Sequence, residues 1–257
     1  HVPTLRWPDA ILEGRGGGYP ADIHAIYSTG GNLLNQGSDI RKNIRAFEKI
    51  EFVVSQEMFL TPTARWCDVV LPAAGPLEKE DIGLPWMGNY LLYKPQAVAR
   101  RGQVRSDYEI FCDLAERLGF GEAFSEGRSE SEWIQRFLDE SEIIDQEDFR
   151  RTGIYLAPDQ ERVGLADFAA DPVGYPLDTP SGKVEIANQR YADDTGLPAY
   201  PTWQPQPDDE RYPLRLLTPK LAEMTHSQGS NIAALRAAFS HRLEMHPDDA
   251  ADRGICD

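Results

Sequence analysis

A glycine pair followed by asparagine ends the first apolar run of the sequence, in the order Thr29-Gly30-Gly31-Asn32. Two glycines at the carboxyl end of a strand let backbone N–H groups approach a ligand closely, and the asparagine side chain adds a donor and an acceptor. A helix predicted to begin at Ser38 offers further free N–H groups to an anion. The segment is a candidate phosphate-binding turn, although an ordinary turn explains it equally. Its spacing is neither GxGxxG nor a Walker motif.

A second polar loop, residues 56–63, follows the next apolar run. Loops that leave neighbouring parallel strands lie side by side, and open α/β sheets bind ligands in the crevice between them. The hydroxyl groups of Thr61 and Thr63 suit either phosphate binding or the capping of a short helix, and the spacing leaves both open. The two loops together predict a binding scaffold for a nucleotide-like ligand.

Catalytic and metal-binding patterns are sparse. The sequence has no GxSxG or HExxH motif, its five histidines lack metal-ligand spacing, and its three cysteines form no CxxC pair. Cys67 and Cys112 adjoin or lie within apolar segments and are interpreted as structural. Glu78, Glu80 and Asp81 cluster in a long loop, where a solvated acidic surface is expected. A self-contained active site is therefore not predicted.

Charge is distributed unevenly along the 257 residues, whose formal net charge is −16. Residues 1–106 carry a net charge of +1 and residues 107–257 one of −17, so the first part repels an anionic ligand least. The acidity argues against nucleic acid and anionic membrane surfaces as partners. No apolar run approaches the roughly 20 residues of a membrane helix, so direct membrane insertion is not expected. The first residues do not resemble a signal peptide.

The elements that must position the two loops alternate between strand and helix. Apolar runs predict strands at residues 23–28, 51–55 and 68–71, with a helix from Ser38 between the first two. This order implies right-handed crossovers and a parallel sheet, and continuous apolar runs suit a sheet that is covered on both faces. We predict an α/β fold with a doubly wound, mostly parallel sheet and helices on both faces.

The remainder of the chain is less regular. Residues 73–106 show no clear period and predict a packed loop, followed by helices from Asp107 and from Ser129. Short strands are expected at residues 183–186 and 214–217. Five prolines within residues 193–213 indicate a linker, and the part beyond is too short for an independent core, so the chain is expected to end inside a domain. The predicted divisions are a domain at 1–192, the linker at 193–213 and a truncated domain at 214–257.

Several stretches resemble molybdopterin oxidoreductases of the dimethyl sulfoxide reductase family. The third domain of that family is matched by residues 25–32 (AIYSTGGN), 36–39 (QGSD) and 59–72 (FLTPTARWCDVVLP). Residues 77–82 and 88–91 resemble the anaerobic dimethyl sulfoxide reductase catalytic-subunit branch. Residues 180–186, 217–220, 225–228 and 245–255 are similar to the run into the last domain and to its first part. The resemblance implies that residues 214–257 are the start of a molybdopterin-dinucleotide-binding β-barrel.

The resemblance also implies which residues approach the cofactor. Carried onto this sequence, they are Gly30, Gly31, Asn32, Gln56, Glu57, Thr61, Thr63 and, more loosely, Asp68, together with Thr218, Pro219, Lys220, His226 and Ser227. Two departures occur: Leu33 stands where many members have proline, and Pro219-Lys220 stands where many have Gly-Arg. A lysine supplies one point charge to a phosphate without the fork of an arginine.

The resemblance implies a fragment of a molybdenum bis(molybdopterin guanine dinucleotide) oxidoreductase that reduces an S-oxide or N-oxide in anaerobic respiration. It implies a 4Fe–4S cluster and the molybdenum ligand in the missing N-terminal part. The expected partners are the missing domains, an iron–sulfur electron-transfer subunit and a membrane-anchor subunit, in a bacterial protein associated with the cytoplasmic membrane. The fragment alone is expected to be inactive. The residues themselves leave two alternatives: a stand-alone nucleotide-binding or regulatory module, and a nucleotide-dependent transferase.

Overall fold

A computed structural model of the chain describes residues 2–158, 163–205, 209–222, 224–226, 228–229, 231–238 and 242–256. The chain forms two compact units, His1–Val163 and Gly164–Asp257. The predicted linker and the domain limits at 192 and 214 stay a prediction.

The first unit contains a three-stranded parallel sheet. Its strands are β1 (Ala25–Thr29), β2 (Phe52–Glu57) and β3 (Val69–Pro72), in that spatial order. Each lies within two residues of its predicted position, and the α/β class with a parallel sheet is confirmed. The order β1-β2-β3 lacks the strand reversal of a doubly wound sheet within the described residues, so that finer assignment is not confirmed.

The helices of the described chain are short. They are α1 (Trp7–Glu13), α2 (Leu33–Gln36), α3 (Ile40–Lys49), α4 (Asp107–Arg117), α5 (Gly121–Ser125), α6 (Glu130–Asp139), α7 (Gln146–Thr152), α8 (Ala166–Ala170), α9 (Gln189–Thr195), α10 (Ala233–Ala238) and α11 (Pro247–Ala251). The longest of these, α4, has 11 residues, and none in the described part of the chain has the length and hydropathy of a bilayer-spanning helix.

Helices cover both faces of the parallel sheet, as predicted. On one face Phe47 of α3 and Val53 of β2 belong to one apolar cluster. On the other face Phe111 of α4 packs against Tyr27 of β1, with ring centroids 5.8 Å apart. Because neighbouring side chains of a strand point to opposite faces, β2 sends Val53 toward α3 and Gln56 toward α4.

Helix caps agree with the sequence at α4 and α6 but not at α3. Ser106 and Ser129 each form a capping box with the glutamate three residues later. The predicted cap of α3 was Ser38, which is corrected to Asp39: its carboxylate accepts the N–H of Lys42, and its φ is +56°. The carboxylate of Asp39 reaches the first turn because its backbone adopts the left-handed conformation that aspartate tolerates.

A second, antiparallel sheet occupies the region that was expected to be a packed loop. It comprises β4 (Asp81–Gly83), β5 (Tyr90–Lys94) and β6 (Ile154–Leu156), with β5 in the middle. Tyr93 packs against a buried cluster that contains Leu138 and Phe149. The packed-loop prediction is therefore wrong for residues 81–83 and 90–94, because two such short strands, whose sheet is completed by the distant β6, leave no local period.

The second unit differs from its prediction. The expected strands at 183–186 and 214–217 are irregular in the structure, and the start of a β-barrel is not confirmed. A strand needs a neighbouring strand to which its backbone is hydrogen-bonded, and the described residues of these two segments pair with no such strand. The final helix begins at Pro247, with His246 as its N-terminal cap.

Candidate functional site

The carboxyl ends of β1 and β2 bring the two predicted loops side by side. The strands pair in parallel with Thr29 opposite Gln56, and the Gly30 N–H continues the ladder to the Gln56 carbonyl at 2.9 Å. The first loop is Gly30–Asn32 and the second runs through residues 58–63. We refer to these two loops together as the strand-end site.

One side-chain contact joins the two loops. The Asn32 Oδ1 atom accepts the hydroxyl of Thr63 at 2.8 Å and the Thr63 N–H at 3.3 Å. The Thr63 hydroxyl oxygen in turn accepts the N–H of Leu34 at 3.0 Å, and Thr63 is fully buried. Asn32 and Thr63 therefore fix the loops to each other, a role that their spacing in sequence does not reveal.

The first loop exposes glycine backbone at Gly30. Gly30 has φ of +63° and open space where a Cβ atom would lie, whereas a Cβ on Gly31 would approach the Ser28 hydroxyl to 3.0 Å. The Gly31 N–H and the Asn32 side-chain amide nitrogen make no hydrogen bond within the described residues. Unpaired N–H donors on a glycine turn suit phosphate or carbonyl oxygens.

Gln56 is buried beneath the site and is bonded at both ends of its side chain. Its Oε1 accepts the Tyr27 hydroxyl at 2.7 Å, and its Nε2 donates to Asp107 Oδ1 at 2.5 Å. Burial and the negative charge of Asp107 raise the pKa of Tyr27, which keeps its hydroxyl protonated as a donor. The Gln56 side chain thus anchors the end of β2.

Glu57, at the end of β2, and Thr61, in the second loop, use their polar groups in local hydrogen bonds. Glu57 accepts the N–H of Met58 at 2.9 Å, and the Thr61 hydroxyl accepts the N–H of Ala64 at 3.1 Å. The Thr61 hydroxyl thus satisfies the first N–H of the short helical turn Ala64–Trp66, although the residue that precedes this turn is Thr63. Both side chains are partly exposed.

Asp68 lies at the other edge of the sheet. It precedes β3, and its carboxylate accepts the N–H of Val53, near the start of β2, at 2.7 Å. Since the chain enters β2 and β3 at the edge opposite the strand-end site, the structure does not bring Asp68 to the other predicted residues. Its hydrogen bond to the Val53 N–H joins the start of β3 to the start of β2.

The predicted residues of the second unit are exposed. Thr218 and Pro219 lie in an irregular segment, and Lys220 Nζ lies 3.5 Å from His226 Nδ1. Ser227 lies outside the described residues. The structure brings Lys220 and His226 together, at a turn where His226 has φ of +55°. How these residues reach a cofactor stays a prediction.

A separate cavity of about 540 Å³ lies between α4, α6 and the antiparallel sheet. It is rich in charge, but its arginines are paired: Arg100 with Glu109, Arg105 with Asp113 and Arg128 with Glu126. No group of histidine, cysteine and carboxylate side chains in the described chain is arranged to hold a metal ion. The strand-end site therefore remains the best candidate.

The fold and this site define an α/β protein with a candidate ligand-binding site at the carboxyl ends of parallel strands. Residues 11–117, which include the whole strand-end site, match the family model described as Molybdopterin oxidoreductase. The matched region, residues 11–117, belongs to the molybdopterin oxidoreductase family.

Relatives with named activities cover the chain almost completely. It is 36% identical to the dimethyl sulfoxide/trimethylamine N-oxide reductase of Cereibacter sphaeroides over 100% of this chain and 35% of that protein. It is 33% identical to the trimethylamine-N-oxide reductase of Haemophilus influenzae over 93% of this chain and 32% of that protein. It is 32% identical to the dimethyl sulfoxide reductase DmsA of Escherichia coli over 99% of this chain and 36% of that protein. The chain spans about a third of the length of these relatives.

A solved structure supports the fold alone. Acetylene hydratase from Pelobacter acetylenicus aligns with a TM-score of 0.69 and 23% identity, over 97% of this chain and 34% of that one. The comparison carries no information about substrate.

Proposed function

We propose that this chain is the part of a molybdenum oxidoreductase that holds one end of a bis(molybdopterin guanine dinucleotide) cofactor, and that the whole protein reduces an S-oxide or N-oxide. The observation that carries the proposal is the Asn32–Thr63 contact, which locks two strand-end loops together and leaves glycine backbone open above them. Relatives named as dimethyl sulfoxide and trimethylamine N-oxide reductases support the substrate class.

The residues at the strand-end site fit a phosphate-bearing cofactor. Gly30 leaves open space at the turn, and the Gly31 N–H and the Asn32 amide nitrogen supply unused donors. Gly31 tolerates no larger side chain without displacement of the Ser28 hydroxyl. Residues 1–106, which contain the strand-end site, carry a net charge of +1, so this part of the chain repels an anionic cofactor least.

In this proposal the residues of this chain bind the cofactor and orient it, and none of them transfers a proton. Gly30, Gly31 and Asn32 hold phosphate or base oxygens, while Gln56 and Thr63 keep the loops in place. Glu57 and Thr61 complete the set of cofactor contacts in the proposal. The chemistry that the cofactor supplies when bound is oxygen-atom transfer coupled to two-electron reduction of the substrate.

The second unit supplies the other contacts in this proposal. Lys220 provides a positive charge for a phosphate, and Thr218, Pro219, His226 and Ser227 lie near it in sequence. In this proposal residues 214–257 are the start of a β-barrel. The three-stranded parallel sheet is part of a larger, doubly wound sheet. On the strength of the family resemblance, it includes a 4Fe–4S cluster before this chain, an iron–sulfur subunit and a membrane-anchor subunit.

The test uses the full-length protein that contains this chain. Molybdenum is measured by mass spectrometry, guanine nucleotide by release of GMP on acid hydrolysis, and activity by oxidation of reduced viologen with dimethyl sulfoxide or trimethylamine N-oxide. We expect molybdenum and GMP together with reductase activity. A protein that reduces neither oxide, or that contains molybdenum without guanine nucleotide, would contradict the proposal.

Asn32→Ala and Gly31→Val are the informative variants. Each is expected to lower the molybdenum and GMP content severalfold, because Asn32→Ala removes a donor and Gly31→Val drives a side chain against the Ser28 hydroxyl and displaces the turn. Arg41→Ala, on the exposed face of α3, is the control and leaves the content unchanged.

A further inference from the structure

Gln56 connects the strand-end site to a residue that the sequence does not single out. Its backbone carbonyl holds the Gly30 N–H at 2.9 Å, so the position of Gln56 sets where the glycine turn begins. Its side chain is 1% exposed and points to the opposite side of the sheet from α3. Whatever fixes this side chain also fixes the turn.

Asp107, in the first turn of α4, is bonded to that side chain. A carboxylate only accepts hydrogen bonds, so Gln56 turns its Nε2 toward Asp107 and its Oε1 toward the Tyr27 hydroxyl. The hydrogen bond to Asp107 is charge-assisted and partly buried, which makes it stronger than the neutral one to Tyr27. Asp107 is thus the dominant anchor of Gln56.

The Asp107 side chain is 43% exposed, so water also reaches this carboxylate. The nearest cation is Lys79, whose Nζ lies 3.9 Å from the second carboxylate oxygen, so one oxygen remains committed to Gln56. The helix itself is held on this face by the contact between Phe111 and Tyr27. Asp107 therefore sits on a rigid element and transmits the position of α4 to the end of β2.

We infer that Asp107 is a positioning residue for the strand-end site: through Gln56 it places the Gly30 turn for cofactor binding. The inference rests on the proposed function and extends it, since Asp107 lies 51 positions from Gln56 and is absent from the family-derived contacts. A purely structural role is the competing explanation, because an aspartate in the first turn also stabilises a helix through its dipole.

The test separates these explanations with matched variants of the full-length protein. Asp107→Ala removes the acceptor, Asp107→Asn keeps an acceptor oxygen without the charge, and Asp113→Ala removes another carboxylate of α4, which pairs with Arg105. Tyr27→Phe removes the weaker anchor and keeps the ring packing. The readouts are hydrogen exchange of peptides covering residues 27–33 and the rate of molybdenum loss from the purified protein.

We expect Asp107→Ala to raise exchange at Gly30 and the rate of molybdenum loss about tenfold, the factor for a lost charge-assisted hydrogen bond. Asp107→Asn and Tyr27→Phe are expected to raise both about threefold or less, and Asp113→Ala to change neither. Equal effects of Asp107→Ala and Asp113→Ala, or of Asp107→Ala and Asp107→Asn, would overturn the inference.

The same samples distinguish this inference from the proposed function. A wild-type protein without molybdenum or guanine nucleotide overturns the proposed function, and with it the role of Asp107 in cofactor retention. A molybdenum-loaded protein in which Asp107→Ala leaves Gly30 exchange and molybdenum loss unchanged overturns the role of Asp107 alone.

Discussion

The two units of the chain present their predicted binding residues in different ways. In the first unit, Asn32 and Thr63 are bonded to each other above a packed sheet. In the second, Thr218 and Lys220 are exposed in an irregular segment. Every buried residue of the described chain lies between Pro8 and Phe149. The predicted residues of the first unit are therefore supported by a packed core, whereas those of the second unit have no such support among the described residues.

This difference separates two ways of contributing to a binding site. A loop anchored by buried hydrogen bonds is already in its binding conformation, so little ordering entropy is lost when the ligand binds. An exposed lysine contributes charge but must be ordered on binding, and its contribution falls with salt. We therefore expect substitutions in the first unit to act on folding and on cofactor retention together. Those in the second unit are expected to act on retention only.

The largest expected effect concerns the core beneath the antiparallel sheet. Phe149 is 2% exposed and belongs to the cluster with Leu138, so Phe149→Ala is expected to cost about 3–5 kcal/mol of local opening free energy. The matched change Leu217→Ala, at an exposed residue of the second unit, is expected to cost about 0.5 kcal/mol or less. Hydrogen exchange of β5 and of residues 214–220 in the full-length protein measures both. Similar losses of opening free energy for the two variants would contradict the claim that only the first unit has a packed core.

Thr63→Val tests the lock between the loops. It leaves Asn32 Oδ1 and the Leu34 N–H without the hydroxyl in a buried setting, which is expected to cost about 2 kcal/mol. Thr218→Val, at an exposed threonine, is the control with no expected loss of stability. Hydrogen exchange of residues 28–36 is the measurement, and protection equal to that of the wild type would show that the contact does not hold the loops.

A pH dependence is expected at Glu80, which joins the antiparallel sheet to α6 and α7. Burial opposes ionisation of this carboxyl, but hydrogen bonds from Tyr93, Arg150 and Ser131 outweigh it and lower its pKa below the usual 4.5. A lowered folded-state pKa means that the stabilisation is complete above the unfolded pKa and is lost as the pH falls through the folded one. The protection of β4 and β5 should thus decline below about pH 4.5.

Glu80→Gln is the variant that isolates the contribution of the Glu80 carboxylate to the acid dependence. It should lower the stability of the sheet by about 1 kcal/mol at neutral pH and remove most of the acid-dependent decline. Asp209→Asn, which breaks an exposed pair with Arg211 in the second unit, should leave the acid dependence unchanged. If the protection of β4 and β5 declines identically with acid in the wild type and in Glu80→Gln, the decline is due to other carboxyl groups.

The smallest expected effect on folding is at Lys220. Since its side chain is exposed, Lys220→Gln should leave hydrogen exchange of the protein without cofactor unchanged. It should increase molybdenum loss about threefold at low salt and less at high salt, as expected for a screened charge. Equal loss at both salt concentrations would exclude a direct charge contact with a phosphate.

The sequence predicted the elements whose signals are local. Apolar runs located β1, β2 and β3, the apolar period after Asp107 located α4, and the capping box at Ser129 located α6. The hairpin of β4 and β5 was not predicted, because its strands have only three and five residues and its sheet is completed by β6, which is distant in sequence. The strand expected at 183–186 had local propensity but finds no partner in the described chain.

The site was predicted in part for the same reason. The GGN turn and the two adjacent loops follow from strand order, so their proximity was predictable. Asp68 was grouped with them although it begins a strand, and residues before and after a strand lie at opposite edges of a sheet. The contact between Gln56 and Asp107 spans 51 positions, and only the packing of α4 on the sheet brings it about.

The account depends on the claim that the glycine turn and Asn32 are a cofactor-binding surface. A cryo-electron-microscopy structure of the full-length protein purified with its molybdenum tests this most directly. We predict a guanine dinucleotide with an oxygen within hydrogen-bond distance of the Gly31 N–H or the Asn32 amide nitrogen. A cofactor bound elsewhere, with Gly30 and Gly31 covered by the protein's own chain, would contradict it.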